Sequence, residues 1–174
     1  MAAIFNFKWS ALWGLPMLLL TGDLGYRDAE NGKVKILVPT DFVHQTKQNY
    51  VPKKKGEEAP DDYFFNKDTT EELVFLTFPM HTPDLNTLRP IMGGTMKSGP
   101  DKVYFNDTTT VNGIKMYITE YDIMEGAKMK HVKAFIFNVG NDTFEGGLTC
   151  NADQKSQWQP IGEKMLKSLR IKTR

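Results

Sequence analysis

A chain of 174 residues with 40% apolar and 11% aromatic side chains is long and apolar enough for one domain with a real core. Its 22 basic and 21 acidic residues nearly cancel, which excludes a general electrostatic hold on nucleic acid or on anionic lipid. The single cysteine, Cys150, excludes an intramolecular disulfide and a multi-cysteine metal site.

Residues 1–22 read differently from the rest. Lys8 precedes an apolar run from Trp9 to Leu20, and no acid appears before Asp23. That is the layout of a secretory signal peptide; counted back to Ile4, the run would instead make an N-terminal membrane anchor. Leu20-Thr21-Gly22 resembles the first three positions of a bacterial lipoprotein box, whose fourth residue is the lipidated cysteine. Here that position is Asp23, so the chain as written cannot carry the lipid. Export is expected, to the periplasm or to a membrane-anchored place in the cell envelope, with membrane association only through this segment.

Residues 23–32 read as polar linker and 33–174 as a single domain. Val34, Ile36 and Val38 alternate with Lys33, Lys35 and Leu37 and predict a first strand, Lys33–Pro39. The polar stretch Gln45–Asp62 reads as a solvated loop, because Lys53-Lys54-Lys55 stands beside Glu57-Glu58. Tyr63-Phe64-Phe65 starts a short strand. Glu72–Phe78 is apolar on both sides of the chain, the mark of a central strand covered on both faces. Thr82-Pro83-Asp84 predicts a helix start, followed by an apolar face of Leu85, Leu88, Ile91, Met92 and Met96. Pro90 and Gly93-Gly94 weaken that helix, and Ser98-Gly99-Pro100 ends it.

Four strands follow as an antiparallel meander: Val103–Val111, Ile114–Met124, Ala127–Val139 and Asp142–Cys150. Asn112-Gly113 is the strongest turn signal among them, since a two-residue type I′ hairpin needs φ > 0 at both positions. Glu125-Gly126 and Gly140-Asn141 mark the other two turns. Trp158, Ile161, Met165, Leu166 and Leu169 then share one helical stripe, with Lys164, Lys167 and Arg170 opposite. The order predicts an α+β domain, an antiparallel sheet flanked by two helices.

This layout resembles the PsbP-like family, which takes in photosystem II accessory proteins and DcrB-type bacterial envelope lipoproteins. The residues that carry the resemblance are Val38-Pro39-Thr40-Asp41-Phe42 at the end of the first strand and the Asn112-Gly113 hairpin. The closing run Trp158…Ile161…Met165-Leu166-Lys167-Ser168-Leu169-Arg170-Ile171 adds to them. The resemblance spans about residues 33–174. It implies a sheet flanked by helices and an accessory or binding role outside the cytoplasm, and it transfers no catalytic residue.

The familiar signatures of chemistry are missing: no Gly-x-Ser-x-Gly, no Walker loop, no His-Glu-x-x-His and no Cys-x-x-Cys. No cofactor and no metal site are expected. Gly93-Gly94 and Gly146-Gly147 read as turn or bulge glycines. One constellation comes from register arithmetic. With Glu125-Gly126 and Gly140-Asn141 as two-residue turns, Glu120 faces His131 and His131 faces Cys150. The same register puts Ile114, Met116, Phe135, Phe137, Phe144 and Leu148 on one apolar face. A carboxylate, an imidazole and a thiol in a row can activate a cysteine nucleophile. The same three residues also fit a buried cysteine beside an ordinary cross-strand pair. The leading expectation is a non-enzymatic exported accessory domain that binds a protein partner. The alternatives are a cysteine-based hydrolase using Cys150, His131 and Glu120, and a carrier of a small apolar ligand using Met92, Met96, Met116 and Trp158.

Overall fold

Residues 23–52, 58–79, 84–89 and 99–172 are described by the computed structural model. The expected export segment 1–22 lies outside the described residues, as do Thr82, Pro83 and residues 90–98 of the expected first helix.

Among the described residues, strands β1 (Leu24–Ala29), β2 (Val34–Pro39), β3 (Val43–Thr46), β4 (Asp62–Phe65) and β5 (Glu71–Phe78) come first. The meander follows as β6 (Lys102–Val111), β7 (Ile114–Glu125), β8 (Lys128–Val139) and β9 (Asp142–Asn151). Helix α1 (Lys155–Ser168) and the short β10 (Arg170–Ile171) close the chain. All pairings are antiparallel, in a seven-stranded sheet ordered β3-β4-β5-β9-β8-β7-β6 and a three-stranded sheet ordered β1-β2-β10.

Strand periodicity of two sends alternate residues to one face, and that face makes the core. Phe64, Leu73, Phe75, Met116, Phe135, Phe137, Phe144 and Leu148 are buried there, with Ile114 partly buried against them. Val34, Ile36 and Val38 of β2, with Trp158, Met165, Leu166 and Leu169 from the helical stripe, supply the opposing layer. Helix α1 packs on β2 and β9, and Trp158 stacks on Phe42 at 5.8 Å between ring centroids. Lys164, Lys167 and Arg170 are exposed, as the stripe requires. The Ser168 hydroxyl accepts the Leu37 N–H at 2.7 Å and donates to the Met165 carbonyl at 2.6 Å, tying the helix end to β2. Asn112 donates from its side chain to the Leu169 carbonyl at 2.9 Å, so the first meander turn reaches the same point.

Within the core face, one row carries a gap where a side chain would be expected. Gly146 pairs with Phe75 on one side and Phe135 on the other. The two rings meet edge to face over it, 5.9 Å between centroids, and a Cβ at Gly146 would lie 2.2 Å from Phe135 Cζ. The absent side chain is therefore a packing requirement. This corrects the expectation of turn or bulge glycines at Gly146-Gly147, which sit in mid-strand.

Three other expectations change. Residues 23–32 are not linker: β1 and its turn occupy them, and β1 pairs with β2 from Leu24↔Pro39 to Ala29↔Val34. An edge strand is held by its backbone ladder, so Tyr26, Arg27 and Asp28 can stay exposed and leave no apolar period to read. The described residues contain one complete α-helix, and of the expected first one only Leu88 and Arg89 lie among them in helical form. Where the first was expected, Asp84 caps a 3-10 turn, Leu85–Thr87, by accepting the Asn86 N–H at 2.9 Å. Finally, β7 and β8 turn at Gly126-Ala127, so Glu125 pairs with Lys128. Gly126 takes φ 62°, and a hairpin with glycine first spares Glu125 a left-handed backbone that a side chain disfavours.

Candidate functional site

The shifted turn moves the β7–β8 register by two residues, which changes partners and preserves faces. His131 on β8 therefore lies opposite Asp122 on β7 and Cys150 on β9, with Glu120 facing Lys133. The imidazole is 4% exposed and sits between two carboxylates. Nδ1 is 2.7 Å from Asp122 Oδ1, and Nε2 is 3.3 Å from Glu120 Oε1. Lys133 Nζ lies 2.9 Å from Glu120 Oε2, and Lys155 Nζ at the start of α1 lies 3.7 Å from Oε1.

Tyr104 completes the cluster from the free edge of the sheet. The β6–β7 register slips between Val103 and Phe105, a bulge that re-aims the intervening side chain. The Tyr104 hydroxyl donates to Asp122 Oδ2 at 2.6 Å, and its ring stands edge-on to His131 at 5.6 Å. Lys155 Nζ sits 3.1 Å and Lys102 Nζ 4.7 Å from the centre of that ring, as cation–π contacts place them. The patch is thus a charge network capped by a half-exposed aromatic.

The electrostatics follow from these contacts. The hydrogen bond from His131, helped by Lys133 and opposed by burial, pulls the Glu120 carboxyl down to about 2. Burial pushes Asp122 up, but the bonds from Tyr104 and His131 outweigh it and hold the carboxyl below its ordinary value. The bond to Asp122 raises the Tyr104 hydroxyl. Cys150 is 0% exposed, and burial, with the nearby charge of Glu71, pushes its thiol up to about 12.

Of the three residues singled out from sequence, Glu120 and His131 are brought into contact and Cys150 lies beside them in the ladder. Asp122 and Tyr104 were missed. Asp122 shares a strand face with Glu120 two residues away, a signal that was present; nothing in the sequence marks Tyr104, which depends on the bulge. Both imidazole nitrogens face carboxylates, so neither is left to draw a proton from the thiol. Met116 and Trp158, considered for a ligand pocket, are core residues, and Met92 and Met96 lie outside the described residues. Among the described residues no group of three or more His, Cys, Asp or Glu side chains is arranged to hold a metal ion. Nor is any helix among them long and apolar enough to cross a membrane.

A buried neutral thiol makes an expected outcome plain. Iodoacetamide should leave Cys150 unlabelled in the folded protein from about pH 5 to 9 and label it once the chain is unfolded, as read by intact mass. Fast labelling near neutral pH that slows in His131→Ala would show a thiolate instead.

No family description and no curated protein sequence matches this chain. Solved structures do. The cyanobacterial PsbP protein CyanoP of Synechocystis sp. PCC 6803 is similar over 94% of this chain and 99% of its own, with TM-score 0.60 and 12% identity. LpqN of Mycobacterium tuberculosis, described as involved in cell envelope biogenesis, is similar over 87% and 92%, with TM-score 0.57 and 10% identity. The Saccharomyces cerevisiae Ran-binding protein Mog1p is similar over 87% and 96%, with TM-score 0.57 and 12% identity. The fold is PsbP-like, as the sequence resemblance implied, and at these identities the likeness is one of fold.

Proposed function

We propose that this chain is a non-enzymatic accessory domain that is exported to a bacterial cell envelope and binds a protein partner through the bulged end of β6. The observation that carries the reading is a run of exposed large side chains at the start of β6, the free edge strand, with one more near the end of the neighbouring β7. Val103, Tyr104, Phe105 and Met124 are each between 40% and 47% exposed. Large apolar side chains gathered at one edge mark an interaction surface more often than singly scattered ones do. The network beneath supports the same reading: Asp122, His131 and Lys155 fix the Tyr104 ring, which lowers the ordering cost of using it as an anchor. Export rests on the Lys8–Leu20 layout. The printed descriptions of LpqN and Mog1p, envelope biogenesis and Ran binding, belong to those proteins and lend this reading its direction only.

The cysteine hydrolase is the competing reading, favoured by the proximity of His131 to Cys150. It needs an accessible thiolate, and burial works against both access and ionisation. Carriage of a small apolar ligand through Met116 and Trp158 would require opening the packed core.

Photo-crosslinking tests the binding surface. A photoreactive phenylalanine derivative in place of Tyr104, in the full chain in its native host, is expected to give one discrete adduct. Phe105→Glu should abolish that adduct without lowering the melting temperature. Indiscriminate adducts, or an unchanged yield with Phe105→Glu, would overturn the proposal.

A further inference from the structure

Glu30 breaks several local rules at once. It is the first residue of the turn between β1 and β2, where Glu30, Asn31 and Gly32 take φ of 55°, 54° and 80°. Asparagine and glycine suit that left-handed region; a glutamate there brings its Cβ too close to the following carbonyl oxygen. Polar residues at turn tips normally point into water, yet Glu30 is 3% exposed. Its Oε2 accepts a hydrogen bond from the Thr77 hydroxyl on β5, while Oε1 is buried without a hydrogen-bond partner among the described residues. A residue held against propensity, solvation and hydrogen-bond satisfaction together invites a functional account.

The surroundings say what kind. The Glu30 N–H donates to Asp62 Oδ2 at 2.6 Å, and Asp62 Oδ1 lies 2.6 Å from His44 Nε2 on β3. Asp61 accepts the Thr77 N–H at 2.7 Å and has Lys47 3.9 Å away. Lys33, the cation in Glu30's own turn, is engaged by Asp142 at 2.6 Å. The carboxyl therefore meets two carboxylates from the β4 end, a hydroxyl from β5 and one lysine already paired elsewhere. Ala29 and Val34, at the two ends of this turn, are core residues, so the Glu30 contacts dock a core-forming hairpin on the seven-stranded sheet.

We infer that Glu30 is a proton-operated latch between the two sheets, closed while its carboxyl is neutral and loosened when it ionises. A neutral carboxyl tolerates this pocket far better than a charge with an unserved oxygen beside Asp61 and Asp62. Burial, seconded by those two charges and opposed by the Thr77 bond, lifts the group from 4.5 to about 7. The folded chain consequently holds a proton that the unfolded chain has released. Stability falls as pH rises from 4.5 toward about 7 and then levels off. The latch would thus respond to mild acidity.

Denaturant unfolding of the full chain across about pH 5 to 8 tests this. The folding equilibrium constant is expected to drop about tenfold to a hundredfold over that range, the pocket being partly screened. Amide exchange at Lys33 and Val34, corrected for intrinsic rate, should accelerate in step. Glu30→Gln keeps the shape without the titration and should flatten both curves. Parallel slopes in the wild type and Glu30→Gln would overturn the latch. Should Glu30→Gln fail to fold, the carbon-13 shift of the wild-type Glu30 carboxyl decides. A midpoint near 7 supports the latch, and one below about 5 overturns it.

Discussion

Gly146→Ala is expected to destabilise the fold by about 3 kcal/mol, the upper range for an overpacked core position. The added carbon would fall 2.2 Å from Cζ and 2.3 Å from Cε2 of Phe135. The obstacle is a rigid ring in contact with Phe75 and Phe137, so it cannot simply swing aside. Gly147→Ala is the matched control: a Cβ there meets nothing within 4 Å among the described residues. It should leave stability unchanged or raise it by about 0.5 kcal/mol through lower backbone entropy in the unfolded chain. Chemical denaturation reads both. In a Gly146→Ala background, Phe135→Leu should recover much of the loss, since residues in contact couple by about 0.5–3 kcal/mol. Equal effects of the two alanines would show that the ring does not depend on the gap.

His131→Ala is expected to cost about 3 kcal/mol near neutral pH, the low end for a broken buried pair. The low end applies because Lys133 and Lys155 stay beside Glu120 and the cluster opens to solvent at Tyr104. The pH dependence is the sharper signature. Glu120 ionises at about 2 when folded against 4.5 ordinarily, so it contributes stability above 4.5 that is lost as pH falls toward 2. Asp122 is shifted in the same direction. Removing the imidazole takes away the largest cause for Glu120, so the acid limb of the stability curve should flatten. An unchanged acid slope in His131→Ala would mean that the lysines and the Tyr104 hydroxyl hold the two carboxylates without the imidazole.

What the sequence made legible follows from which forces leave a local trace. Asn112-Gly113 fixed one hairpin because the turn chemistry is contained in two residues, φ 51° and 79°. Alternation gave the core face, and the double-sided Leu73–Leu76 run gave an interior strand. The β7–β8 turn was misplaced by one residue because Glu125-Gly126 and Gly126-Ala127 are both short and glycine-containing. The row of Glu120, His131 and Cys150 survived, since a two-residue slip keeps every side chain on its face. Residues whose roles depend on distant neighbours were silent. Gly146 means nothing until Phe75 and Phe135 flank it, and Glu30 looks solvated until Asp62 and Thr77 surround it. Tyr104 needed the bulge to aim it, and β1 needed its partner.

The pairing of β2 with β10 has a consequence for how the chain assembles in time. The β6–β9 meander joins neighbours along the sequence, so it can form as soon as it is made, with little loop entropy to overcome. β2 cannot complete its surroundings so early. Val34 and Lys35 pair with Ile171 and Arg170, and Leu37 gives its N–H to Ser168, 131 positions away. β2 thus has β1 alone beside it until β10 and the end of α1 have emerged. Through that interval Val34, Ile36 and Val38 lack the cover of α1, a stretch that a chaperone can keep extended.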